Sequence, residues 1–212
     1  MSTREQTLAE EIANSISHGV GLVAALAAVP VLVIVTLKLG TTINLVAACV
    51  FAASMVLMYF TSAFYHILPA GRIKHVARKL DHAAIFLLIA GTYTPFTLGV
   101  LNGIWGWTLF GLIWSIAVFG LVLMVFDRLT NQWLSNGLYL AMGWLVLIAV
   151  VPLLSRMPLP GLLWLLAGGL AYSLGVAFYA TDSKLRFGHL IWHLFVLTGT
   201  VCHFFAVLWY AI

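Results

Sequence analysis

His189 and His193 stand four residues apart, so one face of a helix presents both imidazoles. His66 follows Ser62 at the same spacing, and Asp81 opens a long apolar run. Three imidazoles with an open fourth position are the usual ligand set of a catalytic zinc, which suits imidazole nitrogen and does no redox chemistry. Beside such a set, the Asp81 carboxylate has two physical roles. It can hydrogen-bond a ligand histidine, or hold a metal-bound water and take its proton. The Ser62 hydroxyl, one turn before His66, can orient His66, Asp81 or a substrate group. An H-x-x-x-H pair alone has little specificity, so the elements that carry these residues must bring them together.

Those elements are set by composition. Of the 212 residues, 63% are hydrophobic and 8% are charged, against about 25% charged in a soluble domain. So few charges cannot cover a water-facing surface, and lipid must be the main solvent. The basic balance, +4 with pI near 9.3, does not indicate nucleic acid, because the Lys and Arg residues lie in short gaps between apolar runs. Seven runs reach the roughly 20 apolar residues of a membrane span: 17–37, 43–67, 82–101, 105–126, 134–154, 161–180 and 189–210. These lengths predict an all-α, seven-transmembrane helix bundle, since barrel strands are about 10 residues long and alternate in polarity.

With seven spans, Arg4, Arg72, Lys74, Arg78, Lys79, Arg128, Lys184 and Arg186 share a side, and the other side holds Lys38 and Arg156. This asymmetry predicts a cytoplasmic N-terminus and an outside C-terminus. Trp105, Trp107, Trp209 and Tyr210 then anchor the outer interface, and Trp133 and Tyr179 the inner one. Residues 1–16 form a polar tail with the potential for a short interfacial helix, and residues 17–212 form one membrane domain. No cleavable signal peptide is expected, because the first residues are polar and rather acidic. Cys49 and Cys202 read as small buried hydrophobes.

The topology puts His66, at the end of the second span, and His189 and His193, at the start of the seventh, at the same membrane face. Asp81, at the start of the third, joins them. An ionisable group at membrane depth is a functional candidate by default. His203 lies 14 residues beyond His189, about 21 Å along a helix. It cannot share their metal and reads as a core histidine bonded to another helix. His82 points away from Asp81 and reads as packing or as a hydrogen-bonding support of a ligand; His75 lies in a basic loop. His18 shares a helical face with Glu11 and Asn14, a face able to cap the cavity or to lie in the interface. Asp127 and Asp182 read as ordinary interface charges. Pro95 removes a backbone bond within the third span and kinks it, with Thr92 and Thr94 placed to satisfy freed carbonyls; the kink serves either structural flexing or room for a lipid chain.

In these residues the chain resembles the hemolysin III family, the bacterial branch of the progestin and adipoQ receptor superfamily. The resemblance runs through nearly the whole chain. It is carried by Glu10-Glu11 with Asn14 and His18-Gly19, by Ser62 through His66, by Leu80-Asp81-His82, by Ile89 through Phe96, and by His189 through Val196. It implies seven spans, a cytoplasmic N-terminus and a multi-pass protein of the bacterial inner membrane. It also implies Zn2+ held by His66, His189 and His193, with Asp81 as partner of the zinc-bound water and Ser62 alongside. Related receptors and alkaline ceramidases, similar in this site, hydrolyse the amide of ceramide.

The expected function is a zinc-dependent hydrolase of a lipid amide or ester, acting in membrane homeostasis, with a membrane lipid as substrate. Two alternatives stay open. One is a non-enzymatic membrane-homeostasis protein whose zinc is structural. The other is a haemolysin-type pore, which few polar residues in the spans would support.

Overall fold

The computed structural model describes residue 4, residues 6–129 and residues 131–212. The described residues are almost wholly helical: α1 (Leu8–Leu39), α2 (Thr42–Ile67), α3 (Arg72–Pro95), α4 (Gly103–Val125), α5 (Gln132–Gly143), α6 (Val150–Arg156), α7 (Leu159–Thr181) and α8 (Gly188–Tyr210). A π-helical turn, Phe96–Leu101, extends α3, and a 3-10 turn, Leu145–Ala149, joins α5 to α6. Counting α5 and α6 as one interrupted span, seven helical segments among the described residues are long and apolar enough to cross a bilayer.

The helices start and stop where local chemistry directs. Thr7 caps α1: its hydroxyl accepts from the Glu10 amide, and the Glu10 carboxylate accepts from the Thr7 amide at 2.9 Å. This reciprocal box satisfies donors that the first turn otherwise leaves orphaned. Gly40 ends α1, and Thr41 with Asn44 builds the same kind of box for α2.

Two helices begin before their apolar runs. α1 starts at Leu8 and continues unbroken through the polar stretch into the bundle. Its buried residues are Glu10, Asn14, His18, Gly21, Ala25, Leu32 and Thr36. These recur at helical spacing, so one stripe packs against α2 and α8 and the opposite face is left to lipid. α3 begins at Arg72, well before the apolar run that starts at residue 82, with Ala77, Asp81 and Ala84 buried beneath a basic outer face. Hydropathy marks only the part of such a helix that faces lipid.

α3 is the most enclosed span, with 78% of its apolar window buried, and it occupies the bundle centre. It packs on α2, α4 and α5; α7 packs on α8, and α8 on α1. The backbone around Pro95 differs from the sequence expectation in which carbonyls the threonines serve. The Thr92 and Thr94 hydroxyls donate to the Leu88 and Ala90 carbonyls, 2.7 and 2.9 Å, rather than to the Gly91 carbonyl that Pro95 deprives. The widened turn after Pro95 completes the accommodation, with the Asn102 amide reaching back to the Thr97 carbonyl.

The predicted fifth span, 134–154, is not one regular helix. The Tyr93 hydroxyl inserts into its ladder, donating to the Gly143 carbonyl at 2.8 Å and accepting from the Val146 amide at 2.9 Å. A side chain that splices a ladder in this way bends the helix without leaving backbone groups bare. Two small expectations are corrected. Cys49 faces out of the bundle whereas Cys202 is buried. Tyr179 is buried, because it packs on His189 and Trp192 rather than standing at an interface.

Candidate metal centre

The end of α2 and the first turns of α8 meet at the basic end of the bundle, beneath the start of α1. His66 occupies the last turn of α2, and His189 and His193 the first turns of α8. One ligand atom from each lies within 4.8 Å of the others. The three ring centroids are 5.1, 5.0 and 4.8 Å apart.

Each ring is held by its Nδ1. His66 Nδ1 lies 2.8 Å from Glu11 Oε2, and Glu11 Oε1 is 2.9 Å from the Lys74 ammonium. His189 Nδ1 lies 2.9 Å from Asp182 Oδ2. His193 Nδ1 lies 3.0 Å from Ser17 Oγ and 3.3 Å from the Asn14 carbonyl. Ser17 Oγ itself donates to that carbonyl at 2.8 Å, so it can only accept from His193. Carboxylates likewise accept. All three partners therefore select the tautomer with the proton on Nδ1, which leaves each Nε2 with a free lone pair. Metal-binding histidines are oriented in this manner.

The orphaned atoms fit the same reading. His66 Nε2, Asp81 Oδ1 and Ser62 Oγ are buried and have no hydrogen-bond partner among the described residues. Each such group costs about 1–3 kcal/mol unless something satisfies it. Three neutral imidazole nitrogens make a donor set suited to zinc. Ser62 and Asp81 come from α2 and α3 and line a small chamber of about 10 Å³ with His18, His189 and His193. The chamber has room for about one water-sized sphere.

The structure thus gathers Ser62, His66, Asp81, His189 and His193 at one end of the bundle. It separates His203, whose Nε2 lies 3.3 Å from the Leu165 carbonyl of α7. A Cβ on Gly168 would come within 2.5 Å of that nitrogen, so the helices approach closely there only because the residue is glycine. His82 bonds Tyr179 at 3.3 Å and takes no part in the triad.

Three residues that hold the triad escaped the sequence reading. Asp182 is not a plain interface charge, since it orients His189. Glu11 orients His66, and Ser17 orients His193. The only signal for Glu11 was its place with Asn14 and His18 on one face of α1, and that face does cover the site. Asp127 does behave as a surface charge: it pairs with Lys79 at 2.6 Å, which holds its carboxyl below the ordinary range.

Above the chamber lies a much larger cavity of about 370 Å³, walled mainly by apolar side chains of α3, α5, α6, α7 and α8. Met58, Ile85 and Trp192 line both spaces. The polar site therefore stands at the end of an apolar void.

The fold and the site define a seven-span membrane protein with a histidine triad at one end of its bundle. The chain belongs to the haemolysin-III-related family, whose model matches residues 6–204. It is 42% identical over 212 residues to "Hemolysin-3" of Bacillus cereus, covering 100% of this chain and 96% of that protein. It is also 42% identical over 206 residues to "Hemolysin-3 homolog" of Bacillus subtilis (strain 168), covering 97% and 96%. A more distant relative is "Monocyte to macrophage differentiation factor" of Homo sapiens, 28% identical over 171 residues, covering 76% of this chain and 69% of that one.

Proposed function

We propose that this protein is an intramembrane zinc-dependent hydrolase that cleaves a lipid amide or ester, with its site at the cytoplasmic face of the bacterial inner membrane. The observation that carries the reading is the shared wall of Met58, Ile85 and Trp192. It joins a void shaped for an acyl chain to a chamber lined by a carboxylate, a hydroxyl and two triad histidines. Ligand sites of this kind combine an apolar lining with a few convergent polar groups.

His66, His189 and His193 would hold the zinc through Nε2. When bound, the ion supplies a Lewis acid for a carbonyl oxygen and acidifies water. The remaining work falls to the chain's own side chains. Asp81 accepts the proton of the attacking water and returns it to the leaving nitrogen or oxygen as the C–N or C–O bond breaks. Ser62, with its hydroxyl unpartnered and 1% of the residue exposed, hydrogen-bonds the substrate's reacting end. The large cavity takes the hydrocarbon chain and excludes water. The cytoplasmic placement rests on the eight basic residues at the end of the bundle that carries the triad. The cellular role is homeostasis of membrane lipid composition.

The test compares purified wild-type and Asp81→Asn proteins on a panel of bacterial lipid amides and esters, with zinc measured in both. Turnover should fall by about 10²–10⁴ in the variant, the usual worth of a positioned acid/base, at unchanged zinc content. A zinc-replete wild-type protein that cleaves nothing in the panel would leave the metal as a structural tie between α2 and α8.

A further inference from the structure

Beside the triad, two further imidazoles line this region: His82, which bonds Tyr179, and His18, which has no such partner. His18 is fully buried on α1, and neither ring nitrogen has a hydrogen-bond partner among the described residues. Its ring lies parallel to that of His193, with centroids 3.5 Å apart and planes inclined by 7°. Tyr59 meets its ring in a T-shaped contact at 5.1 Å. It lines the small chamber together with Ser62, Asp81, His189 and His193. A neutral imidazole carries one N–H donor and one acceptor, and burying both without partners is rare in native proteins.

The stacking decides which role these nitrogens can have. An imidazole nitrogen binds a metal along its lone pair, in the plane of its own ring. Two parallel rings 3.5 Å apart cannot both place one ion in their planes, so His18 is no ligand of the ion that His193 holds. It lines instead the small chamber that Ser62, Asp81, His189 and His193 also line. Stacking on His193 and the edge of Tyr59 keep the His18 ring in place before anything binds.

We propose that His18 is a binding residue of this site and donates its N–H to the oxygen ligand that fills the open metal position. Under the hydrolase reading that oxygen belongs to the scissile carbonyl of the lipid. The proposal rests on the metal-centre reading but not on turnover. It assigns α1 a direct part in recognition, beyond holding His66 and His193 in place.

The test uses the full-length protein in detergent, loaded with cobalt(II) in place of zinc and titrated with azide while the visible spectrum is followed. Azide stands in for the oxygen ligand as a small hydrogen-bond-accepting anion. His18→Phe keeps a flat ring in the stack and removes both nitrogens; His18→Gln keeps a donor. Both variants should bind one cobalt per chain. Azide affinity should fall by about 10-fold or more in His18→Phe, as expected for a lost hydrogen bond to a charged group. It should stay within about 3-fold of wild type in His18→Gln. Unchanged azide affinity in a cobalt-loaded His18→Phe protein would overturn the proposal. So would loss of cobalt from both variants to the extent seen in His193→Ala, because His18 would then act on the metal itself. A wild-type protein that takes up no cobalt would overturn the metal centre and the role of His18 with it.

Discussion

Glu11 and His66 are joined, Oε2 to Nδ1, at 2.8 Å across 55 residues of sequence. The bond ties the first turn of α1 to the last turn of α2, and the neighbouring Ser17 ties α1 to His193 on α8. α1 is therefore part of the site. Its buried stripe begins with Glu10, Asn14 and His18, and only then turns to small and apolar residues. Packing and chemistry occupy successive turns of the same face. Glu10 extends the arrangement: it bonds Arg4 at 2.6 Å and accepts from the Phe187 amide at 2.8 Å. That places it over the loop between Asp182 and His189.

The orienting carboxylates give the first prediction. Glu11→Gln and Asp182→Asn leave the ligand nitrogens in place but weaken the hold on Nδ1. Metal affinity, measured by competition with a chromophoric chelator, should drop by about 10–100-fold in each. Asp127→Asn, which breaks a surface pair with Lys79, should leave the affinity unchanged. Equal affinity in all three proteins would show that the carboxylates do not serve the metal.

A second prediction concerns His203. Gly168→Leu places a side chain where the His203 ring now lies, 2.5 Å from Nε2. α7 and α8 must separate, at a cost of about 1–3 kcal/mol typical of overpacking. The thermal midpoint in detergent should fall, and zinc content should not, because the triad lies more than two turns away along α8. A variant as stable as wild type would contradict the close approach of the two helices.

Much of this architecture was legible in the sequence because lipid imposes one dominant rule. Long apolar runs located the seven spans, and breakers such as Gly40 and Pro158 bounded them. Shared depth brought His66, Asp81, His189 and His193 to one end. What stayed hidden had local physical reasons. The first turns of α1 and α3 are helical yet amphipathic, so hydropathy alone started those spans late. Tyr93 breaks the fifth span from a neighbouring helix, and no residue within that span announces it. Glu11 and Asp182 looked like any carboxylate near an interface, since their partners are reached only through the tertiary fold. The large cavity left only a faint trace, the room for a lipid chain read at Pro95, beside Thr92 and Phe96 of its wall. A leucine facing a void and a leucine facing lipid are the same letter in a sequence.

That cavity gives the third prediction. Gly169 lines it, and a Cβ there would meet nothing nearer than Trp144 at 3.9 Å. Gly169→Leu should therefore fill part of the void without disturbing the helices. Lipid co-purifying with the protein, identified by mass spectrometry, should shift to shorter chains, at unchanged zinc content. An identical lipid profile would mean that the cavity holds no hydrocarbon chain.

The most direct measurement is the zinc content of detergent-purified protein, wild type beside His66→Ala, His189→Ala, His193→Ala and His203→Ala, with the thermal midpoint of each. Wild type and His203→Ala should carry about one zinc per chain. Each triad variant should lose most of it and melt at a lower temperature, because binding energy held by the folded state is lost with the ligand. A wild-type protein that is folded, free of zinc and unchanged in stability when zinc is added would contradict the account, and so would a triad variant that keeps its metal in full.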